Sequence, residues 1–186
     1  MSRESTNKAL ESYMRKYYGK GIKITDHTDK NLTFDVLATD RNIHITVELK
    51  ERFSVYDDIL IELIQTLPYF STDKSTGSNI NTKGVANSNV NTLFDSYGIQ
   101  TAIGWFYKTT ADRLIFVRYE NKNSEQPTDI IDIDFIPFKN WVLDNCMDVD
   151  KPQLQYSDAT TGTINAKIPL SKIPKSYYRE VVPVNI

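Results

Sequence analysis

The sequence predicts an α/β domain, a mixed central sheet flanked by helices with an irregular C-terminal extension. Three observations lead there. Two neighbouring runs, Leu32–Ala38 and Ile43–Lys50, alternate apolar and polar residues with the two-residue period of strands. Two other runs, Ser5–Tyr18 and Val55–Leu67, repeat their apolar residues at the spacing of a helix face. Beyond a long polar stretch, β-rich runs return at Ala102–Tyr107, Arg113–Tyr119 and Asp129–Ile136.

Taken in order, the first helix carries Leu10, Tyr13, Met14, Tyr17 and Tyr18 on one stripe, with Glu11 beside it, and stops at Gly19 and Gly21. Gly21–Thr28 then reads as a strand with Ile22 and Ile24 on one side. Asp26, His27 and Asp29 read as a polar turn, because adjacent residues on an extended chain point to opposite faces and cannot share a metal. In the next two strands Val36 and Ala38, then Ile43, Ile45, Val47 and Leu49, face the core. Asp35 falls on the opposite face of its strand, as do His44, Thr46, Glu48 and Lys50 on theirs. Asp40-Arg41-Asn42 makes the turn between them.

Ser54 has the position of a helix N-cap and Asp57 that of the capping-box acid. Tyr56, Ile59, Leu60, Leu63, Ile64 and Leu67 would form the apolar stripe of that helix, Asp58, Glu62 and Gln65 its other face, and Pro68 its end. Residues 71–92, rich in Ser, Thr, Asn and Gly, read as a mobile polar loop. Phe138–Asn145 is expected as a short helix. The tail from Lys151 holds four prolines among isolated apolar residues and reads as irregular cover.

At 186 residues, 40% hydrophobic and 25% charged, the chain is expected to form a single domain, with a core of about residues 5–119 and accessory elements over 120–186. A net charge of −2 argues against a surface that grips phosphate throughout, while leaving room for a cleft of local basic character. No apolar run approaches the length of a membrane span, and Met1-Ser2-Arg3-Glu4-Ser5 lacks an apolar signal region. Cys146, the single cysteine, leaves no internal disulfide and no cysteine-based zinc site. The expectation is a cytoplasmic protein with no membrane partner.

Chemistry is expected where Glu48 and Lys50, roughly 7 Å apart on one strand face, lie across from Asp35. Their alternative reading is a solvated sheet face with a cross-strand ion pair. Asp129, Asp132 and Asp134 are a rival acidic cluster, explicable as charges that guard a sheet edge. The acid-x-Lys triplet occurs twice, as Glu48-Leu49-Lys50 and as Glu120-Asn121-Lys122. Only the first closes a clean strand, follows a strand bearing an Asp and precedes an amphipathic run.

That order resembles the PD-(D/E)xK nuclease superfamily, the restriction-endonuclease-like fold, whose core runs helix, three-stranded meander, helix, strand. The resemblance covers the first two-thirds of the chain: helix Ser5–Tyr18, strands near Gly21, Leu32 and Ile43, helix Val55–Leu67 and a strand from Arg113. Phe34-Asp35 stands where the family usually has Pro-Asp. The resemblance implies that Asp35 and Glu48 bind a divalent metal and that Lys50 assists. Gln65, with Glu62 behind it, would join from the following helix and Glu11 from the first. The block Gly104–Asp112 is similar to one in phage-encoded members and leaves the role of Asp112 open. The implied function is an Mg²⁺-dependent endonuclease acting on DNA, with Mn²⁺ as substitute, compatible with a homodimer and, if phage-encoded, with the host cytoplasm. Two alternatives stand beside it. One is a catalytically inactive nuclease-fold protein, the other an unrelated phage accessory protein, either binding a protein or nucleic-acid partner.

Overall fold

The computed structural model describes residues 3–28, 32–53, 57–65, 102–146, 153–157 and 163–181. The 71–92 stretch lies outside the described residues. Within the expected domain the chain condenses into two compact units. One is drawn from Met1–Tyr56, Thr109–Phe138 and Pro174–Ile186, the other from Asp57–Lys108 and Lys139–Ile173.

The first unit begins with helix α1 (Arg3–Tyr17). Its ends suit the helix dipole, with Glu4 in the first turn and Arg15 and Lys16 in the last. Glu4–Lys8 (2.8 Å) and Glu11–Arg15 (2.7 Å) pair one turn apart. After the helix, Gly19 takes φ +154°, a conformation that side-chain-bearing residues avoid.

The chain then forms a meander of β1 (Lys23–Asp26), β2 (Val36–Asp40) and β3 (Ile43–Arg52). The second strand is shorter than its alternation predicts, because residues 33–35 bend and pairing begins at Val36. After the second unit the chain returns as β6 (Arg113–Arg118) and β7 (Asp129–Asp134), and later as β10 (Tyr178–Val181). These make one six-stranded sheet in the order β1-β2-β3-β6-β7-β10. It is mixed: β3 and β6 run parallel and every other neighbouring pair is antiparallel.

Helix α1 lays Leu10, Tyr13 and Met14 on one face of this sheet, against Val36, Ala38, Val47, Leu49, Ile115, Val117 and Ile130. Leu10 and Met14 are fully buried, each contributing about 1.5–3 kcal/mol of hydrophobic stabilisation. Because side chains alternate along a strand, Glu48 and Lys50 point away from this core to the other face.

The second unit is an antiparallel sheet of β4 (Asp58–Gln65), β5 (Ala102–Ile103), β8 (Gln153–Ser157) and β9 (Thr163–Pro169), ordered β5-β4-β9-β8. Here the sequence reading needs correction. The run expected as helix Val55–Leu67 contains a strand. A short apolar run bordered by polar residues fits both periods, and Ile61, which lies off the helical stripe, alternates with Leu60 and is fully buried beside Ile59. Pairing on both sides, with β9 and with β5, decides for strand.

The Ala102–Tyr107 run is a two-residue strand followed by a single-turn helix α2 (Trp105–Lys108). The expected irregular C-terminal extension is likewise corrected: its described part supplies β8, β9, β10 and two short 3₁₀ turns. The short helix expected near Phe138 is α3 (Phe135–Cys146), with Phe135, Phe138 and Val142 buried at helical spacing. Among the described residues no helix is long and apolar enough to cross a membrane.

Candidate active site on the meander

The β2–β3 register sets Val36 opposite Val47, which brings Asp35 level with Glu48 at the mouth of the hairpin. Asp35 is fixed at both ends. Its amide donates to the Val47 carbonyl (2.9 Å) and its Oδ2 accepts the Leu49 amide (2.9 Å). A carboxylate that takes a backbone N–H in the sheet ladder cannot swing away without exposing that donor.

Glu48 sits on β3 between β2 and β6, opposite Leu114, and is only 5% exposed. Lys50, one strand repeat further on, places Nζ 2.5 Å from Glu48 Oε1 and 3.7 Å from Asp35 Oδ2. The three residues expected to carry chemistry therefore converge within one unit.

Burial pushes the Glu48 carboxyl above its ordinary range. The Lys50 ammonium opposes that shift by its charge and its hydrogen bond, the Asp35 charge adds to it, and the Thr109 hydroxyl opposes it. An acid with raised proton affinity beside a second acid and a lysine is the electrostatic signature of a functional site as much as of a structural ion pair.

The other expected participants do not share this setting. Glu11 lies on α1, the helix covering the opposite face, and its carboxylate pairs with Arg15. Glu62 and Gln65 belong to β4 in the second unit, on a strand instead of the expected helix. There Glu62 accepts the Trp105 amide (3.4 Å), and the Gln65 side chain lies outside the described residues. His44 is exposed and four residues from Glu48, about 13 Å along the strand.

Asp112 has a clear place. Its Oδ2 accepts the Thr46 amide and the Thr46 hydroxyl (2.8 Å each), and its own amide donates to the Thr46 carbonyl (2.9 Å). It ties the start of β6 to β3 and so sets the register of the parallel pair.

The rival acids are not edge guards, since β7 is flanked by β6 and β10. Asp132 is fully buried and accepts the Tyr13 hydroxyl (2.7 Å), the Tyr18 hydroxyl (2.5 Å) and Arg113 Nε (2.7 Å). Burial, reinforced by the Asp132 charge, pushes both tyrosines well above their usual range and keeps them as donors. Asp129 pairs with the buried Arg118, which also reaches Glu180 at 2.6 Å.

Sequence reasoning passed over Thr109, whose hydroxyl meets Glu48. It belongs to Lys108-Thr109-Thr110-Ala111-Asp112, five residues read as a connector. The available signal was a polar segment immediately ahead of a strand that is buried from Leu114 to Arg118.

The donor set fits a hard divalent cation. Mg²⁺ takes one or two carboxylates and keeps several waters, and Asp35, in the bend before β2, with Glu48 on β3 offers two carboxylates. It does not fit a closed all-protein cage: among the described residues no group of three or more His, Cys, Asp and Glu side chains is placed to hold a metal.

No protein-family model, curated protein or solved structure matches this chain.

Proposed function

We propose that the protein is an Mg²⁺-dependent deoxyribonuclease with a restriction-endonuclease-like core, a reading supported above all by the convergence of Asp35, Glu48 and Lys50 on the face of the meander away from α1. The helix α1, the three-stranded meander and the parallel strand β6 follow the order that the resemblance requires, with the second unit in place of the second helix.

In this reading Asp35 and Glu48 hold the cation, which when bound supplies Lewis-acid polarisation of the phosphate and a water acidic enough to attack. Glu48 must be ionised to serve. Lys50, close to both carboxylates, turns its ammonium toward the phosphate and stabilises charge developing there. The backbone amide of Leu49 keeps Asp35 aimed throughout.

Supercoiled plasmid incubated with Mg²⁺ or Mn²⁺ tests this. Metal-dependent nicking is expected, falling by about 10²–10³-fold in Asp35→Ala and Lys50→Ala. Cutting that survives both substitutions would sink the assignment.

One observation favours a second reading. Lys50 Nζ already sits 2.5 Å from Glu48, so the acid pair has a resident counter-charge. A catalytically inactive relative that keeps this triad, and binds a protein or nucleic-acid partner, would cut no duplex, single-stranded or branched DNA, and Mn²⁺ calorimetry would separate one that retains metal from an unrelated fold.

A further inference from the structure

We infer that Thr109 is a positioning residue for this site, its hydroxyl tying the Glu48 carboxylate to the bend that carries Asp35. The inference rests on the nuclease reading for its purpose and on geometry for its substance.

Thr109 is 3% exposed, so its hydroxyl has to be satisfied within the protein. Its Oγ1 lies 2.6 Å from the Thr33 carbonyl and hydrogen-bonds the Glu48 side chain. It also accepts the Ala111 amide at 3.3 Å. The single hydroxyl proton goes to one acceptor at a time, the Thr33 carbonyl or the Glu48 carboxylate, and both lie within its reach.

The neighbouring residue doubles the link. The Thr110 amide donates to the same Thr33 carbonyl (3.1 Å), and the Thr110 and Thr33 hydroxyls lie 2.6 Å apart. Thr33 stands two residues before Asp35, in the bent segment where β2 has not yet begun. Ahead of the paired part of β2, that segment takes its position from residues 109–110 and from three bonds at Asp35: its amide to the Val47 carbonyl, its carbonyl from the His27 amide and its carboxylate from the Leu49 amide.

A single side chain therefore touches the groups on which both carboxylates depend. Such outer partners set the orientation of metal-binding side chains, and their loss typically costs 10–100-fold in metal affinity. Thr109→Val removes the hydroxyl at nearly constant shape, Thr109→Ser keeps it, and Thr109→Ala serves where Val does not fold.

The closing experiment has two arms: Mn²⁺ titration calorimetry, and amide hydrogen exchange of the metal-free protein read at Leu49 and Thr110 against Val117. Mn²⁺ affinity is expected to fall about tenfold in Thr109→Val and to return in Thr109→Ser. Exchange is expected to quicken at Leu49 and Thr110 while Val117 stays protected. Wild-type affinity in Thr109→Val overturns the inference. If the wild type binds no Mn²⁺, the metal reading fails by itself. Exchange then decides the Thr109 role, which is lost if Leu49 and Thr110 are unchanged in Thr109→Val.

Discussion

The two faces of the first unit's sheet treat a buried acid in opposite ways. On the face under α1, Asp132 receives two tyrosine hydroxyls and a guanidinium, and both of its oxygens are occupied by strong donors. On the opposite face Glu48 meets the Lys50 ammonium, which Asp35 shares at 3.7 Å, and a threonine hydroxyl that also reaches a carbonyl. A carboxylate saturated by fixed donors has nothing left to offer a ligand, and its chemistry is spent on holding elements together. One that shares its donors retains lone pairs and a proton affinity that its surroundings can tune. By that contrast Asp132 is architecture and Glu48 is the candidate for chemistry.

The contrast can be broken in several places. Asp132→Ala leaves the half-buried Arg113 to the more distant Asp134 (3.7 Å) and takes the buried acceptor from Tyr13 and Tyr18. It is expected to cost about 3–5 kcal/mol of stability in urea denaturation, without abolishing nicking by the molecules that remain folded. A cost near zero would remove the distinction between the faces. Asp112→Ala leaves the Thr46 amide and hydroxyl without their acceptor. Because these bonds are solvent-exposed, it is expected to cost about 0.5–1.5 kcal/mol, read as a lowered denaturation midpoint at unchanged slope.

The smallest expected effect is a dependence on pH. Glu48 has a higher proton affinity folded than unfolded, so its contribution to stability is fully present below the unfolded carboxyl range and is lost as pH rises through the raised folded value. Glu48→Gln has no such loss. Relative to that variant, the wild type should weaken progressively as pH rises above about 4 in metal-free urea titrations. A constant gap over that range would mean that burial does not govern this carboxyl.

Much of this arrangement was legible in residues whose neighbours in space are neighbours in sequence. The stripe Leu10, Tyr13, Met14 required a helix. The alternation through Val36, Ala38, Val47 and Leu49, closed by a two-residue turn at Arg41-Asn42, required a hairpin and so set Asp35 across from Glu48. Residues 58–65 were not legible, because their apolar content fits either period and only partners roughly 40 and 100 positions away, in β5 and β9, decide for strand. Glu62 and Gln65 were expected near the site on the strength of that misread helix. Thr109 and Asp112 were hidden for a related reason. Their partners Thr33, Glu48 and Thr46 lie more than 60 positions earlier, and nothing in a polar connector marks which hydroxyl will be buried.

The parallel pairing of β3 with β6 has a consequence for how the chain is made. The meander holding Asp35, Glu48 and Lys50 has emerged once residue 52 is out, but β3 lacks its neighbour until residues 113–118 follow. At about 5–20 residues per second, β3 spends on the order of 3–12 seconds as an unpaired edge, its amides and carbonyls open to any other strand. A chain stalled within that interval would carry Asp35, Glu48 and Lys50 without residues 109–110, which hold the Asp35 bend, and with its most adhesive border uncovered. Only elongation past β6 brings the strand that shields it.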